Sequence, residues 1–461
     1  KDDVTPELTV TPLQLSLNPE GDTSEFSIAA NSSWTISNAA DAWLKVSQVN
    51  GNSGSTSIQI IVSKNGTGSE RSTVLEVNAN NGQGRRVTVT QKPTIYPSYN
   101  TSPKAPDATG MEHTAPELAA KMRLGWNLGN TFEAPGGEQG WGSPIITEDF
   151  IKFVKQSGFN AIRIPCAWNL THVDNTATAH IDQNWLNRVK EVVGYCVNND
   201  VYVLLNIHWD GGWLEGNIKA TKKDSINAKQ RAYWEQIATV MRDFDEHLMF
   251  ASANEPSVDN AEQMDLLTGF HQTFIDAVRS TGGKNSYRVL VIQGPSTDME
   301  KTYTMMNTLP VDKVAGRMMV EIHNYTPSQF TLLKEDASWG KMFYYWGANS
   351  HSTIEPDRNA TWGEETDQIG YFQKMKEKFV DKGIPVLMGE YGAYRRNGGD
   401  HIPLDLETHN NAIDNWATFV TKQAIAHGVI PFWWDTGGAI DRANLTVKDQ
   451  RTIDALNAGA E

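Results

Sequence analysis

Apolar and polar residues alternate in short runs along the first part of the chain. Glycine, asparagine and serine separate the runs, as they do in turns between strands. We expect strands at Leu8–Val10, Leu13–Leu17, Glu25–Ile28, Thr56–Val62, Ser72–Asn78 and Arg85–Thr90. A series of short strands at this spacing predicts an immunoglobulin-like β-sandwich over residues 1–92. Trp34 and Trp43 lie within this pattern, and we expect both to fill the core of the sandwich rather than to bind glycan.

A proline-rich stretch follows at residues 93–107, with four prolines and several small polar residues. Such a composition favours extended chain over a packed element. We therefore expect an interdomain linker here.

From residue 108 onward, amphipathic helices alternate with short apolar strands. In one unit, Thr147 can cap a helix, Gly158 can end it, and the strand Asn160–Ile164 follows. Apolar strands are expected near 122–127, 160–164, 201–207, 248–253, 289–293, 318–323, 385–389 and 429–434. Eight such units predict an α/β fold, a (β/α)8 TIM barrel over residues 108–461.

Chemistry in such barrels is placed at the carboxyl ends of the strands. The residues expected there are Asn127, Arg163, His208, Asn254, Glu255, Gln293, His323, Glu390 and Trp434. Two carboxylic acids among imidazole, guanidinium, amide and indole groups indicate glycoside hydrolysis. That reaction needs one carboxyl group that donates a proton and one carboxylate that attacks or activates water. Glu255 and Glu390 are the candidate pair.

The other strand-end residues can support this pair. Arg163 and Asn254 can hydrogen-bond Glu390 and a sugar hydroxyl, which would keep the nucleophile ionised. His323 and Tyr325 can do the same for the two carboxyl groups. An indole face packs against a sugar ring, so we expect Trp434 to form the floor of a subsite. Of the fifteen tryptophans, we also assign to the cleft Trp209, Trp213, Trp346 and Trp362.

Composition narrows the classes of partner. The net charge of −15 and the pI near 5.2 disfavour nucleic acid, because no basic stripe is available for phosphates. No apolar run is long enough to span a bilayer. We expect buried thiols at Cys166 and Cys196, and no metal site, since no helix carries a HExxH-type pair. An uncharged polysaccharide fits this balance, and we expect a monomer.

Seven motifs carry a family resemblance. In order along the chain they are GWNLGNTFEA (125–134), FNAIRIP (159–165), NIHWD (206–210), ANEP (253–256), EIHNY (321–325), MGEYGA (388–393) and FWWDTGG (432–438). They resemble the successive strand-end motifs of glycoside hydrolase family 5, over residues 108–461. The GWNLGNT and WWDTG forms are most similar to subfamily 4, which implies an endo-β-1,4-glucanase, with xyloglucan as the expected substrate.

The resemblance also implies roles for individual residues. Glu255 would be the acid/base and Glu390 the nucleophile of a retaining reaction that needs no cofactor. The site would be completed by Arg163, His208, Asn254, His323, Tyr325 and Trp434. We also expect Asn127 and Asn130 to line or support the site.

The N-terminal segment resembles the BACON domain that accompanies secreted glycanases of gut Bacteroidetes, through SSWTISNAADAWLKVSQVNGNSGSTSIQIIVSKN and RRVTVTQK. This implies a bacterial protein that is secreted or held at the outer-membrane surface, with a removed targeting segment and a lipid anchor expected upstream of Lys1.

Three alternatives remain at this stage. A β-mannanase or a general cellulase would share the fold and the carboxyl pair. A protein of another class, a non-catalytic polysaccharide-binding barrel, would have lost the use of that pair. The N-terminal module can serve either as a spacer or as a glycan-binding domain.

Overall fold

The structure is a computed structural model, and it describes residues 5–461. The chain divides into two compact units, one that ends at Tyr99 and one from Asn100 to Glu461.

The predicted linker, residues 93–107, is divided between these units. The Thr94 amide donates to the Asn65 carbonyl of the first unit at 2.9 Å. Further along, Lys104–Pro106 forms a short strand that pairs with Gly282–Gly283 of the second unit. The linker prediction is therefore corrected for this later part. Proline has no backbone N–H, but the residues beside it do. The amides of Lys104 and Asp107 therefore still hydrogen-bond the edge of the other strand.

From residue 5 onward, the first unit contains nine strands in two sheets. They are β1 (Leu8–Thr11), β2 (Gln14–Leu17), β3 (Asp22–Ala30), β4 (Trp34–Ser37), β5 (Leu44–Val46), β6 (Asn50–Gly51), β7 (Gly54–Val62), β8 (Arg71–Ala79) and β9 (Gly84–Gln91). The sheet orders are β1-β3-β7-β5 and β2-β9-β8-β4-β6, and β2 runs parallel to β9. Alternate residues of β3, β7 and β8 are buried and belong to one shared core. The predicted β-sandwich is confirmed.

The two tryptophans of this unit differ. Trp34 is 1% exposed in the core, as predicted. A side chain at Gly51 would place its Cβ only 2.2 Å from the Trp34 ring, so β6 can cross this ring only with glycine there. Trp43 is partly buried and lies under the Arg71 guanidinium, 4.4 Å from it. A cation over an indole face is favourable at such a half-exposed position.

The second unit is built around a closed parallel barrel. Its remaining strands are β10 (Lys104–Pro106), β11 (Gly125–Leu128), β12 (Ala161–Ile164), β13 (Val173–Asn175), β14 (His180–Ile181), β15 (Tyr202–Asn206), β16 (Leu248–Ala251), β17 (Gly282–Gly283), β18 (Leu290–Gln293), β19 (Met318–Asn324), β20 (Val386–Tyr391), β21 (Val429–Asp435), β22 (Ile440–Asp441) and β23 (Thr446–Val447). The barrel order is β11-β12-β15-β16-β18-β19-β20-β21, and neighbours are parallel. These eight strands are the eight predicted ones.

Helices connect the barrel strands. They are α1 (Ala115–Ala119), α2 (Glu148–Gln156), α3 (Gln183–Asn198), α4 (Lys223–Met241), α5 (Ala261–Ser280), α6 (Met299–Met305), α7 (Ser328–Thr331), α8 (Glu365–Lys378), α9 (Leu406–Ala426) and α10 (Gln450–Gly459). The Thr147 side chain caps α2 by accepting from the Phe150 amide at 3.2 Å, as predicted. Within residues 5–461, no helix is both long and apolar enough to cross a bilayer.

A β-bulge in β20 shapes the mouth of the barrel. The register between β19 and β20 shifts after Ile322, which pairs with Met388, so that His323 pairs with Glu390. Gly389 is the extra residue. Bulges next to active sites re-aim side chains, and this one sets Glu390 opposite His323.

Candidate active site

The residues predicted at the strand ends come together at one mouth of the barrel. Five belong to barrel strands: Asn127, Arg163, His323, Glu390 and Trp434. Asn127 pairs in register with both Arg163 and Trp434. Four more follow the ends of β15, β16 and β19: His208, Asn254, Glu255 and Tyr325. Carboxyl ends of parallel barrel strands share one face of the molecule, so these side chains can converge.

The two glutamates form a close pair. One carboxyl oxygen of Glu255, one of Glu390 and a ring nitrogen of His323 all lie within 4.8 Å of one another. His323 Nδ1 lies 2.7 Å from Glu255 Oε1 and 3.8 Å from Glu390 Oε2. The Glu255 side chain is 43% exposed, whereas that of Glu390 is 7% exposed. One carboxyl group is thus open to the cleft and the other is buried beside it.

Arg163 organises the buried side of the pair. Its guanidinium is fully buried and lies 2.8 Å from Glu390 Oε1 and 2.9 Å from Glu321 Oε1. It also donates to Asn127 Oδ1 at 3.1 Å and to Asn254 Oδ1 at 2.8 Å. Burial opposes the charged form of Arg163, but the two carboxylates outweigh it and raise its pKa. A planar fork that binds carboxylates and amides together holds each partner in a fixed orientation.

Glu390 receives a second hydrogen bond from the Tyr325 hydroxyl, at 2.9 Å from Oε2. Burial raises the pKa of Glu390, and the positive charges of His323 and Arg163 oppose this rise. Both donors, Arg163 and Tyr325, bind the ionised form of the carboxyl group. Burial of Tyr325 and the nearby carboxylates hold the pKa of its phenol well above the ordinary value, so it stays a donor.

His323 is the cation between the carboxyl groups. Burial opposes its charge, but Glu390, Glu255 and Glu321 together raise its pKa to about 10. Burial raises the pKa of Glu255, yet the hydrogen bond and charge of His323 prevail and lower it. The Glu255–His323 contact is therefore a charge-assisted hydrogen bond.

His208 differs from His323 in charge. Burial, Arg163 and His323 together hold the pKa of His208 well below its ordinary value, so its imidazole is neutral. Its ring stacks on Trp434 with a centroid distance of 6.0 Å and an interplanar angle of 7°. The stacked pair fixes the orientation of the indole at the barrel mouth.

The two predicted asparagines on and after β11 have different environments. Asn127 is fully buried, and its side-chain amide donates to the Gly389 carbonyl at 2.9 Å. This hydrogen bond stabilises the bulge in β20. Asn130 is partly exposed and has a φ of 56°, and its backbone amide donates to the Glu133 carboxylate. That contact stabilises a left-handed conformation that asparagine tolerates.

A cleft extends on both sides of the carboxyl pair. On one side a cavity of about 980 Å³ is lined by Tyr325, Trp434 and Asn130. On the other side a cavity of about 320 Å³ is lined by Glu255, His323, Tyr325 and Trp362. Tyr325, whose hydroxyl donates to Glu390, lines both cavities.

Of the tryptophans assigned to the cleft, Trp362 and Trp209 are 41% and 55% exposed. Trp346 is 1% exposed, and its indole N–H donates to the Gly363 carbonyl at 2.9 Å. The assignment of Trp346 to the cleft is wrong. Its ring packs against Phe419 and its one donor is satisfied inside the loop that follows β19, so it is part of the loop core. The assignment of Trp213 is also wrong, because this side chain is 8% exposed and its indole N–H donates to Asp210 at 3.2 Å.

Two acidic residues of the site were not predicted. Glu321 is fully buried beneath the pair and contacts Arg163 and His323. A signal existed, because Glu321 precedes His323 by two residues on one strand and must share its face. Glu215 lies in the loop after β15, and its carboxylate accepts the Glu255 backbone amide. Burial raises the pKa of Glu215 to about 7. Its spacing from β15 gives no such signal.

Two groups of described residues place three potential metal ligands close together. One is Glu255, His323 and Glu390 itself, and the other is Glu112, His113 and Glu246. In the first group the Arg163 guanidinium contacts Glu390 and would repel a cation. In the second, Glu246 already accepts the backbone amide of His113 at 2.9 Å. Both predicted thiols, Cys166 and Cys196, are buried and unpaired.

The family model for Cellulase (glycosyl hydrolase family 5) matches residues 127–439. The chain belongs to glycosyl hydrolase family 5. This family 5 hydrolase also matches the Viral BACON domain model over residues 7–94, the region of the β-sandwich. Both resemblances found in the sequence are confirmed.

Several proteins of known activity are similar to this family 5 hydrolase. The xyloglucan-specific endo-beta-1,4-glucanase of Bacteroides ovatus is 32% identical over 92% of this chain and 84% of its own length. The solved Bacteroides ovatus family 5 xyloglucanase in complex with a XXXG heptasaccharide has a TM-score of 0.73 and 30% identity, over 98% of this chain and 100% of that one. A xyloglucan-specific beta-1,4-glucanase from a ruminal metagenomic library, in complex with XXLG, has a TM-score of 0.69 and 37% identity over 76% and 96%. The family 5 hydrolase is thus a glycoside hydrolase of the endoglucanase type.

Proposed function

We propose that this family 5 hydrolase cleaves internal β-1,4 bonds of xyloglucan by double displacement, with Glu390 as the nucleophile and Glu255 as the acid/base. The observation that carries the proposal is the approach of the two carboxyl groups to within 4.8 Å. Retaining glycosidases have carboxyl groups about 5–5.5 Å apart, whereas inverting ones leave about 6.5–9.5 Å for a water molecule. The separation supports direct attack by one of the two carboxylates.

Contacts support the division of roles. Glu390 accepts from Arg163 at 2.8 Å and from Tyr325 at 2.9 Å, and both donors favour the ionised, oriented form that a nucleophile requires. Glu255 is the more exposed of the pair and lines the smaller cavity, where a leaving group would lie. Its hydrogen bond with His323 keeps a proton within 2.7 Å of its carboxylate. That proton is the one the leaving oxygen takes.

The cleft supports endo action on a branched chain. Cavities of about 980 Å³ and 320 Å³ share Tyr325 in their linings, and this arrangement is compatible with a polysaccharide that occupies both. The larger cavity, beside Trp434, has room for side-chain sugars as well as the backbone. Solved relatives carry XXXG and XXLG oligosaccharides, which favours xyloglucan over a linear glucan for this chain.

The substrate is tested by initial rates of reducing-sugar release on a panel of soluble polysaccharides. We expect tamarind-type xyloglucan to be the preferred substrate over carboxymethyl cellulose, barley β-glucan, glucomannan and galactomannan. Comparable rates on linear and branched glucans would indicate a general cellulase instead of a xyloglucanase. Preference for the two mannans would indicate a β-mannanase.

The roles of the glutamates are tested by Glu255→Ala and Glu390→Ala. Each should lower kcat on xyloglucan by several orders of magnitude, since removal of either carboxyl group removes a step of the reaction. Azide should restore turnover of an aryl glycoside to Glu255→Ala and give the β-glycosyl azide, the product of retention. Glu246→Gln, which changes a buried carboxyl group outside the site, is the control. Full activity of either alanine variant would overturn the assignment and favour a non-catalytic barrel.

We also propose that the protein is exported and acts at the bacterial surface, as a monomer on extracellular polysaccharide. The N-terminal match to the BACON domain supports this location. Protease treatment of intact cells should remove the protein, and protection from protease would contradict the proposal.

A further inference from the structure

Glu321 is buried beneath the carboxyl pair and has three side-chain partners. Its Oε1 lies 2.9 Å from Arg163 Nε and 3.2 Å from His323 Nε2. Its Oε2 accepts from Gln293 Nε2 at 2.6 Å. The residue itself has no exposed surface. The ion pair with Arg163 and the hydrogen bonds with His323 and Gln293 hold these three side chains in place around the buried carboxylate.

The oxygen facing Gln293 must be an acceptor. Gln293 Oε1 accepts the Ala253 backbone amide at 2.8 Å, which fixes the orientation of the Gln293 side-chain amide. Its NH2 group therefore points at Glu321 Oε2. The other oxygen faces the Arg163 guanidinium, which cannot accept a hydrogen bond. The positive charge of Arg163 beside Oε1 favours the ionised carboxylate, in which both oxygens are acceptors. Although burial raises the pKa of Glu321, Arg163 and His323 prevail and lower it.

The Glu321 carboxylate determines which ring nitrogen of a neutral His323 carries the hydrogen. Because Glu321 Oε1 accepts, its 3.2 Å contact with His323 Nε2 is a hydrogen bond only when Nε2 carries a hydrogen, so the carboxylate favours that form of the ring. The second ring nitrogen, Nδ1, faces Glu255 Oε1 at 2.7 Å. A hydrogen bond there requires one more proton, either on Nδ1 with an ionised Glu255 or on Glu255 with a neutral imidazole. In both cases the Glu255–His323 pair holds a transferable proton.

We propose that Glu321 is a positioning residue that loads Glu255 with its proton, by restricting His323 to the Nε2–H form. This inference rests on the proposed function. In the first step the glycosidic oxygen takes, by way of Glu255, the proton that Glu255 and His323 share, which leaves Glu255 ionised and His323 neutral with its hydrogen on Nε2. In the second step the Glu255 carboxylate takes a proton from the attacking water, and the pair returns to its starting state. Glu321 touches neither substrate nor reacting atoms.

Without the Glu321 carboxylate, the other form of His323 becomes available. A neutral imidazole with its hydrogen on Nδ1 can donate to an ionised Glu255, and this pair contains no spare proton. Several charged or titratable groups face His323 from the elements packed around it: Glu321 on its own strand, Glu390 on β20, Arg163 on β12, Glu255 after β16 and His208 after β15. Of the acidic ones, Glu321 contacts Nε2, and it is the one that selects the form of the ring.

The bulge in β20 makes the room for this carboxylate. A Cβ added at Gly389 would lie 1.9 Å from Glu321 Oε1. The glycine that aligns Glu390 with His323 is therefore the one that admits Glu321 beneath them.

The test uses the full chain and the variant Glu321→Gln, assayed on xyloglucan and on 2,4-dinitrophenyl β-cellobioside. Loss of acid catalysis should lower kcat/KM on xyloglucan by about 10²- to 10⁴-fold. The dinitrophenolate leaves without a proton, so its release should fall far less. The basic limb of the xyloglucan pH profile should move to lower pH. Glu246→Gln, which alters another buried glutamate paired with a histidine, should leave both substrates and the profile unchanged.

Two results would overturn the inference. One is an equal loss of rate on both substrates with an unmoved basic limb, which a merely structural role would give. The other comes from the wild-type protein, where nitrogen NMR of labelled histidine, with His323 assigned by His323→Asn, should show the Nε2–H form at high pH. An Nδ1–H form would refute the inference even if Glu321→Gln does not fold. Failure of the proposed function is distinct, since Glu255→Ala would then keep its rate on xyloglucan.

Discussion

At the scale of the residue, carboxyl groups outnumber cationic groups at the barrel mouth of this family 5 hydrolase. Three buried or half-buried carboxyl groups, Glu255, Glu321 and Glu390, surround Arg163 and His323. Attraction within such a cluster is strong because little water screens it. Each cation is therefore held in its charged form, and each carboxylate in a fixed orientation.

His323 should make the stability of the protein depend on pH. Its pKa is about 10 in the folded protein, against 6.5 as the ordinary value. Between these values the folded chain binds a proton that the unfolded chain has released. The stabilisation is therefore complete below about pH 6.5 and is lost as the pH rises through about 10.

We expect the urea midpoint of the wild-type protein to fall more steeply over this range than that of His323→Asn, measured by fluorescence. The exposed His401→Asn should keep the wild-type slope. Equal slopes for His323→Asn and the wild type would contradict the prediction.

At the scale of the element, β20 and the loop after β19 position the chemistry. The bulge at Gly389 needs a residue without a side chain, since a Cβ would meet Glu321 at 1.9 Å. We expect Gly389→Ala to lower the free energy of unfolding by ~1–3 kcal/mol, as overpacked cores do, and to lower kcat as well.

The control is Gly370→Ala on α8, where an added Cβ meets nothing within 4 Å. It should raise the free energy of unfolding by ~0.5–1 kcal/mol, because alanine favours a helix over glycine. Urea unfolding measures the stability of both variants, and xyloglucan assays measure their kcat. A fully active, equally stable Gly389→Ala protein would show that the bulge tolerates a side chain.

Trp362 lies on the loop after β19 and lines the cavity beside Glu255. Its indole N–H donates to Gln329 at 2.7 Å, which leaves the ring fixed and 41% exposed. We expect Trp362→Ala to raise KM for xyloglucan about 2- to 10-fold, the equivalent of ~0.5–1.5 kcal/mol of aromatic contact. Trp339→Ala, more exposed and outside the lining of either cavity, should leave KM unchanged. The same shift in KM in both variants would contradict a specific contact between Trp362 and the substrate.

At the scale of the whole molecule, the chain contains two compact units with separate cores. All the proposed site residues lie in the second unit. We expect residues 100–461 alone to keep the kcat/KM of the full chain on soluble xyloglucan. A large loss in this truncated protein, with an unchanged circular dichroism spectrum, would show that the sandwich takes part in turnover.

The sequence by itself determined both folds and most of the site. Period-two alternation specified the sandwich strands, because one face of each strand must be buried. Eight apolar strands between amphipathic helices specified the barrel, and strand-end position then selected Glu255, Glu390, Arg163 and His323. These features are local, so a linear pattern contains them.

Tertiary structure decided what depends on contacts between distant segments. Trp346 lies in a loop core, where its indole N–H donates to the carbonyl of Gly363, 17 residues further along the chain. The end of the linker joins the second unit because Gly282–Gly283 offers a strand edge. The strand position of Glu321 places it on the face of His323, but it fits beneath the pair only because a glycine on the neighbouring strand leaves space for it. Hydrogen-bond satisfaction and close packing act across the chain, and neither is visible in the order of its residues.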